Sequence, residues 1–175
     1  MKTLEIIFGI LLFIVCYTYV GYGIVLWIMV TIKRIFGKKK ELPEIEEWPE
    51  VTLFITAYNE ELVVEDKMKN CLELDYPKDK LHIVWVTDGS TDHTNELLHR
   101  YPEVKIYYHE ARKGKTAAMN HGIRHVKTPF VIFTDANTYI NSESVKELMK
   151  RFVNPKVGFV AGERRGKANR KDREA

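Results

Sequence analysis

Polar and charged residues follow four short apolar segments of this sequence, in the runs 57–61, 88–92, 112–115 and 135–138. Asp135 and Asn137 present oxygen ligands two residues apart, and such ligands suit a hard divalent cation that bridges two phosphates. Lys115 or Arg112 can neutralise phosphate charge, and Asp88 can accept a hydrogen bond from the imide group of a base. Together these residue types predict a site for a nucleoside diphosphate.

Each run has a simpler explanation when it is taken alone. A turn with a helix cap would explain the run 88–92, and a solvated charged face would explain Lys113 and Lys115. Glu60 and Glu61 suit the first turn of a helix, where acidic side chains favour the dipole. The functional interpretation therefore depends on the joint occurrence of all four runs.

The elements that would position these runs follow from the hydrophobic periodicity. Apolar segments predict strands at 51–56, 81–87, 104–108, 130–134 and 157–161. Helical spacing predicts helices at 60–74, 91–101, 115–126 and 142–152. This alternation predicts an α/β fold with a mostly parallel sheet, in which ligands bind beyond the carboxyl ends of the strands. All four polar runs then fall on one edge of the sheet.

The sequence argues against several other functions. A formal net charge of +3 is too small to indicate nucleic-acid binding. Residues 114–116 end like a P-loop, but His109 stands where that motif has its first glycine, and no Gly-x-Gly-x-x-Gly run follows the first strand. His121 and His125 have the spacing of zinc ligands on a helix, but Gly122 stands where a zincin has glutamate.

The first part of the sequence is apolar and carries no charged residue from 6 to 32. A membrane span needs about 20 such residues, so we predict a transmembrane helix rather than a signal peptide, whose apolar core is shorter. Lys33, Arg34 and residues 38–40 are basic, which predicts a single-pass protein of the cell membrane with its following domain in the cytoplasm. The expected organisation is a transmembrane helix at 1–32, a linker at 33–49 and a nucleotide-binding domain at 50–175.

The polar runs also match a known family. Residues 57–61, 87–92, 113–120 and 133–138, in this order and spacing, resemble the motifs of the family 2 inverting glycosyltransferases. The run 157–162 looks like the next strand of that family, and the similarity extends from about 48 to 165. The resemblance implies a GT-A fold, which is a Rossmann-like, mostly parallel sheet with flanking helices, preceded here by one transmembrane helix.

The resemblance implies a donor site for a nucleoside-diphosphate sugar, most often a UDP-sugar. Tyr58 and Glu60 would line the nucleoside pocket, and Asp88 would hold the base. Lys115 and Asn120 would lie near the ribose and the phosphates. The implied partners are this donor, a carbohydrate or lipid-linked acceptor, the membrane and, at an uncovered sheet edge, a partner chain, with no role for nucleic acid.

The resemblance also implies Mg²⁺ or Mn²⁺ as the cofactor, with Asp135 beginning the metal motif. Asn137 stands where many members have a second aspartate, and a neutral amide binds a hard cation less strongly than a carboxylate does. The implied reaction is a single displacement with inversion, in which a carboxylate base deprotonates the acceptor hydroxyl. In this family the base follows the region that matches here, so we expect it beyond Ala175.

Three functions are compatible with these features. A glycosyltransferase of cell-surface polysaccharide or glycolipid synthesis accounts for all the motifs together. A non-catalytic, membrane-tethered nucleotide-binding module would have the same pocket without a base. A membrane-anchored nucleotidyltransferase would share the α/β alternation and the metal carboxylate, but it would carry a glycine-rich loop after the first strand.

Overall fold

The computed structural model describes residues 2–36 and 43–163 of the 175-residue chain, which divides into the units Met1–Glu41 and Leu42–Ala175. Lys38, Lys39 and Lys40, which contribute to the predicted orientation, lie outside the described residues, as does the charged run that follows Glu163. The predicted domain boundary at residue 50 falls directly before the first strand, which begins at Val51.

The N-terminal unit contains a continuous apolar helix from Lys2 to Phe36, which is 35 residues long. Its parts are α1 (Lys2–Cys16), a π-helical turn (Tyr17–Gly21) and α2 (Tyr22–Phe36). At about 1.5 Å per residue it extends roughly 50 Å, against a hydrocarbon core of about 30 Å. Thr18 and Thr31 donate their hydroxyl protons to carbonyl oxygens one turn earlier, which satisfies these donors without water. By length and composition the helix is a candidate membrane span.

The second unit contains a parallel sheet with the strand order β3-β2-β1-β4. The strands are β1 (Val51–Ala57), β2 (Leu81–Asp88), β3 (Val104–His109) and β4 (Phe130–Asp135). The central strands β1 and β2 are rich in β-branched and aromatic residues and are almost wholly buried, as expected for a parallel sheet covered on both faces. Their carboxyl ends share one edge, where Thr56 lies opposite Asp135 and Asp88 lies opposite His109.

Helices cover both faces of this sheet. They are α3 (Glu61–Leu72), α4 (Thr94–Leu98), α5 (Lys115–Gly122), a 3-10 turn (Ile123–His125) and α6 (Ser144–Phe152). On one face, Val64 of α3 and Val145 of α6 pack in a core with Leu53 of β1. On the other face, Ala118 of α5 packs in a separate core with Phe54 of β1. The α/β architecture predicted from the sequence is therefore confirmed.

Gly122 sets how closely α5 lies on the sheet. A Cβ atom at this position would lie 2.3 Å from Cγ2 of Val86 and 2.7 Å from Cζ of Phe54. Any side chain there would push the helix outward, and Lys115 at the opposite end of α5 would move with it. The position of Lys115 at the carboxyl edge of the sheet thus depends on a glycine at 122.

Two predicted elements differ from the structure. The strand predicted at 157–161 is wrong, because no described neighbour pairs with this segment and Phe159 is 82% exposed. A strand needs a partner for its backbone groups. The helix predicted at 91–101 is shortened to α4, because Thr91 and His93 use their backbone N–H groups in hydrogen bonds to the loop that follows β1.

Candidate functional site

An open cavity of about 320 Å³ lies at the carboxyl edge of the sheet, between β1, β4 and α5. Phe54, Met119 and Phe133 contribute apolar wall, and Lys115 and Asp135 contribute charge. Cavities of roughly 300–1,000 Å³ are typical of small-molecule sites. This cavity therefore joins an apolar surface to two opposite charges, as a site for an amphipathic anion requires.

Lys115 and Asp135 form an ion pair at this cavity. Lys115 is the first residue of α5, and its Nζ lies 2.5 Å from Oδ1 of Asp135, the last residue of β4. The two side chains are 61% and 49% exposed, so the pair adds little stability and both groups are open to a ligand. The first turn of α5, which follows Gly114, adds backbone N–H groups of the kind that bind phosphates.

Asp88, at the end of β2, holds the loop that precedes α5. Its Oδ1 accepts a hydrogen bond from the Lys113 backbone N–H at 3.0 Å and lies 3.3 Å from Nδ1 of His109, and its Oδ2 accepts one from the Gly114 N–H at 2.6 Å. Burial alone would raise the pKa of the Asp88 carboxyl, but the two backbone hydrogen bonds and His109 outweigh burial and lower it. Both oxygens are thus engaged, and base binding by Asp88 stays a prediction.

Gly89 brings Arg112 beside Tyr58. Gly89 has a φ of +68°, and a Cβ atom there would lie 2.4 Å from the backbone nitrogen of Arg112, so only glycine permits this approach. The Arg112 guanidinium lies over the Tyr58 ring, with Cζ 4.0 Å from the ring centroid. Tyr58 is 36% exposed. The two side chains form a planar, partly exposed surface of the kind on which a nucleobase stacks.

Asn59 joins the loop after β1 to the loop after β2. It has a φ of +52°, a conformation that asparagine tolerates better than most residues. Its Oδ1 accepts a hydrogen bond from the Thr91 N–H at 2.8 Å, and its own N–H donates to Oγ of Ser90 at 3.2 Å. The Glu60 N–H donates to Oγ1 of Thr94 at 2.9 Å. These bonds fix the backbone on both sides of Glu60 and next to Tyr58.

Glu60 lies among other carboxylates at this edge. Burial raises the pKa of the Glu60 carboxyl, and the negative charges of Asp135 and Asp92 raise it further. Glu60, predicted to line the nucleoside pocket, is therefore within electrostatic reach of the predicted metal ligand Asp135. A bound cation would relieve this concentration of negative charge.

The predicted metal ligands stand at the end of β4 and in the turn after it. Asp135 is half exposed at the cavity, and Asn137 is exposed. Within residues 2–36 and 43–163, no group of three His, Cys, Asp or Glu side chains could hold a metal ion alone. Magnesium at phosphate sites is usually held by one or two carboxylates together with phosphate oxygens and water. The oxygen ligands here fit a cation shared with a diphosphate.

Asn120, the remaining predicted donor-site residue, is exposed on α5 and adjoins Met119 of the cavity wall. The sequence did not single out Lys67 and Asn70 of α3, which the structure brings to the turn after β4. The Lys67 ammonium donates to the carbonyl oxygen of Thr138, and the Asn70 side chain hydrogen-bonds the backbone of Ile140.

Comparison with known sequences identifies relatives of this chain. Residues 52–174 match the sequence model of Glycosyl transferase family 2. The poly-beta-1,6-N-acetyl-D-glucosamine synthase of Staphylococcus aureus strain COL is 30% identical over 135 residues, covering 75% of this chain and 32% of that protein. The synthase of the same name from Staphylococcus epidermidis is 29% identical over 147 residues, covering 78% and 35%. The chain thus spans about a third of the length of these relatives.

Solved structures share the fold. A mannosyltransferase from Pyrobaculum calidifontis in complex with GDP-Man and Mn²⁺ has a TM-score of 0.69 and 30% identity, covering 82% of this chain and 44% of that one. Residues 1–349 of Staphylococcus aureus TarS in complex with UDP-GlcNAc have a TM-score of 0.56 and 25% identity, covering 61% and 31%.

Proposed function

The chain belongs to glycosyl transferase family 2, and we propose that it binds a nucleoside-diphosphate sugar and transfers the sugar to an acceptor hydroxyl with inversion, in cell-surface polysaccharide or glycolipid synthesis. The observation that carries the proposal is the cavity at the carboxyl edge, where Lys115 and Asp135 face each other beside an apolar wall. This arrangement offers a cation for the diphosphate and a carboxylate for a metal, next to surface suited to a sugar or a base.

The donor in this proposal is a UDP-sugar. Support comes from TarS, whose structure holds UDP-GlcNAc, and from the staphylococcal synthases, which make a polymer of N-acetylglucosamine by name. The archaeal mannosyltransferase holds GDP-Man, so the fold also accepts a guanine nucleotide. The Tyr58–Arg112 surface would stack against either base, since stacking tolerates different rings.

Asp88 acts in this proposal through the loop that it holds. By accepting the Lys113 and Gly114 N–H groups, it fixes the segment that carries Arg112 on one side and Lys115 on the other. A direct contact to a base would require the carboxylate to release one of these hydrogen bonds.

The residues present fit Mg²⁺ or Mn²⁺ shared with the donor diphosphate. Asp135 would hold the ion, with Asn137 as a neighbouring oxygen donor. When bound, the ion supplies positive charge for the departing diphosphate. Lys115 adds a second positive charge from the first turn of α5, and this charge is preorganised by the helix rather than recruited from solvent.

The acceptor hydroxyl attacks the anomeric carbon as a carboxylate base takes its proton, and the bond to the diphosphate breaks on the opposite face of the sugar. We place this base on a segment beyond Ala175. The support is that the staphylococcal synthase is about three times as long as the part matched here.

The orientation in the membrane is likewise a proposal. Lys33 and Arg34 stand in the last turn of α2, which favours a cytoplasmic position for this end of the helix and for the domain after it. Protease treatment of inside-out and right-side-out vesicles tests this. Digestion of the domain only in inside-out vesicles is expected, and digestion only in right-side-out vesicles would refute it.

Calorimetric titration of the detergent-purified chain tests the donor. UDP-GlcNAc, UDP-glucose, GDP-mannose and UTP are compared in the presence of Mn²⁺. We expect a UDP-sugar to bind more tightly than UTP or GDP-mannose. Tighter binding of UTP than of every nucleotide sugar would instead favour a nucleotidyltransferase.

A further inference from the structure

Lys67 is a buried lysine in the middle of α3. Its side chain is 1% exposed and lies on the buried side of the helix with Val64, Met68 and Cys71. Burying an ammonium group among apolar side chains opposes folding. An apolar residue of similar length would fill the same space without this cost, so packing alone does not explain a lysine here.

The Lys67 ammonium holds the end of β4 together with the turn that follows it. Its Nζ donates to Oγ1 of Thr134 at 3.2 Å and to the carbonyl oxygen of Thr138. These two uncharged acceptors flank Asp135 and Asn137 in the sequence. Burial lowers the pKa of Lys67, whereas the charges of Cys71 and then Asp135 act in the opposite direction. The ammonium is therefore electrostatically coupled to the carboxylate at the cavity.

Asn70, three residues later on α3, holds the far side of the same turn. Its Nδ2 donates to the Ile140 carbonyl oxygen at 2.8 Å, and its Oδ1 accepts from the Ile140 N–H at 2.9 Å. A side-chain amide that pairs with both backbone groups of one residue fixes the position and the orientation of that residue. Lys67 and Asn70 thus hold residues 134–140 at three points.

Two lysines approach the end of β4 from opposite faces of the sheet. Successive strand residues point to opposite faces. Thr134 accordingly meets Lys67 of α3, whereas Asp135 meets Lys115 of α5. Lys67 is buried and bonded to uncharged oxygens, whereas Lys115 is exposed at the cavity. The first can position the turn, while the second remains available to a ligand.

We propose that Lys67, supported by Asn70, is a positioning residue that preorganises the turn 135–138, so that Asp135 and Asn137 are held for a divalent cation and the donor diphosphate. The ligand in this inference rests on the proposed function, whereas the turn rests on the hydrogen bonds described above. Ligands that are held in place by outer hydrogen bonds bind metal more tightly than mobile ones.

The test compares Lys67→Met with Lys69→Met in the full chain. Both remove an ammonium from α3, but Lys69 is exposed. UDP is titrated with and without Mn²⁺, and the thermal midpoint is recorded. For Lys67→Met we expect the Mn²⁺-dependent affinity to fall by roughly 10–100-fold, with Mn²⁺-free affinity and the midpoint unchanged. Lys69→Met should match the wild type, and Lys67→Gln, which keeps an N–H donor, should recover part of the loss.

A purely structural lysine would behave differently. Equal losses of UDP affinity with and without Mn²⁺, or wild-type Mn²⁺ dependence in Lys67→Met, would overturn the inference. If Lys67→Met does not fold, Thr134→Val removes one of the two acceptors and should show a smaller loss of the same kind. Unchanged Mn²⁺ dependence in that variant would also overturn it.

Hydrogen exchange separates this inference from the proposed function. If the wild type binds no UDP under any condition, the proposed donor site fails. The positioning role is then decided by amide exchange in peptides that cover residues 136–141. Faster exchange there in Lys67→Met than in Lys69→Met is expected, and equal exchange in the two variants would refute it.

Discussion

Asp88→Asn is expected to lower the free energy of unfolding by about 2–3 kcal/mol. The Asp88 carboxylate accepts the N–H groups of Lys113 and Gly114 at 3.0 and 2.6 Å, in a position where its side chain is 6% exposed. Asparagine keeps one oxygen, but its NH₂ group then faces the second backbone donor. One hydrogen bond to a charged group is lost, at about 1.5–3 kcal/mol, and the other is weakened because its acceptor becomes neutral.

The same contacts fix the pH dependence of this difference. The folded pKa of Asp88 is depressed, so its contribution to stability is present above the unfolded pKa of about 3.9 and is lost as pH falls through the folded pKa. The stability gap between wild type and Asp88→Asn should therefore be constant from neutral pH to about pH 5 and should shrink below about pH 4.

Urea unfolding followed by tryptophan fluorescence measures this gap, because Trp85 is fully buried in the sheet. Asp79→Asn, at an exposed turn position, is the matched control and should change stability by less than about 0.5 kcal/mol. A gap for Asp88→Asn below about 0.5 kcal/mol at pH 7, or a gap that widens as the pH is lowered, would refute the reasoning.

Two further variants test the loops at the cavity. Gly89→Ala should lower the free energy of unfolding by about 2 kcal/mol or more, because its Cβ would lie 2.4 Å from the Arg112 nitrogen at a positive φ, whereas Gly158→Ala, with open space around it, should be neutral in the same urea titration. A neutral Gly89→Ala would show that the two loops are not in contact. Lys115→Met should weaken UDP binding roughly 10–100-fold in calorimetry while Lys113→Met has a smaller effect, and equal effects would mean that general positive charge, not the position of Lys115, binds the diphosphate.

The sequence predicted the strands well because their signals are local. Each strand of the sheet is a short run of apolar, β-branched residues followed by polar ones, and the observed bounds differ from the predicted bounds by one residue at the carboxyl end. The convergence of Tyr58, Glu60, Lys115 and Asp135 at one edge then followed from parallel strand direction. The failure at 157–161 has the complementary cause, since an apolar run becomes a strand only where a neighbour is available to pair with it.

Contacts between distant segments were not accessible in the same way. Nothing local shows that the Asp88 carboxylate is engaged by the backbone at 113–114, because that bond depends on the approach that Gly89 permits. Lys67 did leave a signal. It stands three residues after Val64 and four before Cys71, on the buried side of α3, where a charged residue is unexpected. What it holds could be seen only once β4 was placed beside α3.

The central claim is that Asp135 binds a divalent cation shared with a nucleoside diphosphate. Calorimetric titration of UDP into the detergent-purified chain, with and without Mn²⁺, tests it most directly when the wild type is compared with Asp135→Ala and with the control Asp79→Ala. The account predicts Mn²⁺-dependent UDP binding in the wild type and in Asp79→Ala, and its loss in Asp135→Ala with the far-ultraviolet spectrum unchanged. Mn²⁺-dependent binding that survives in Asp135→Ala would contradict the account.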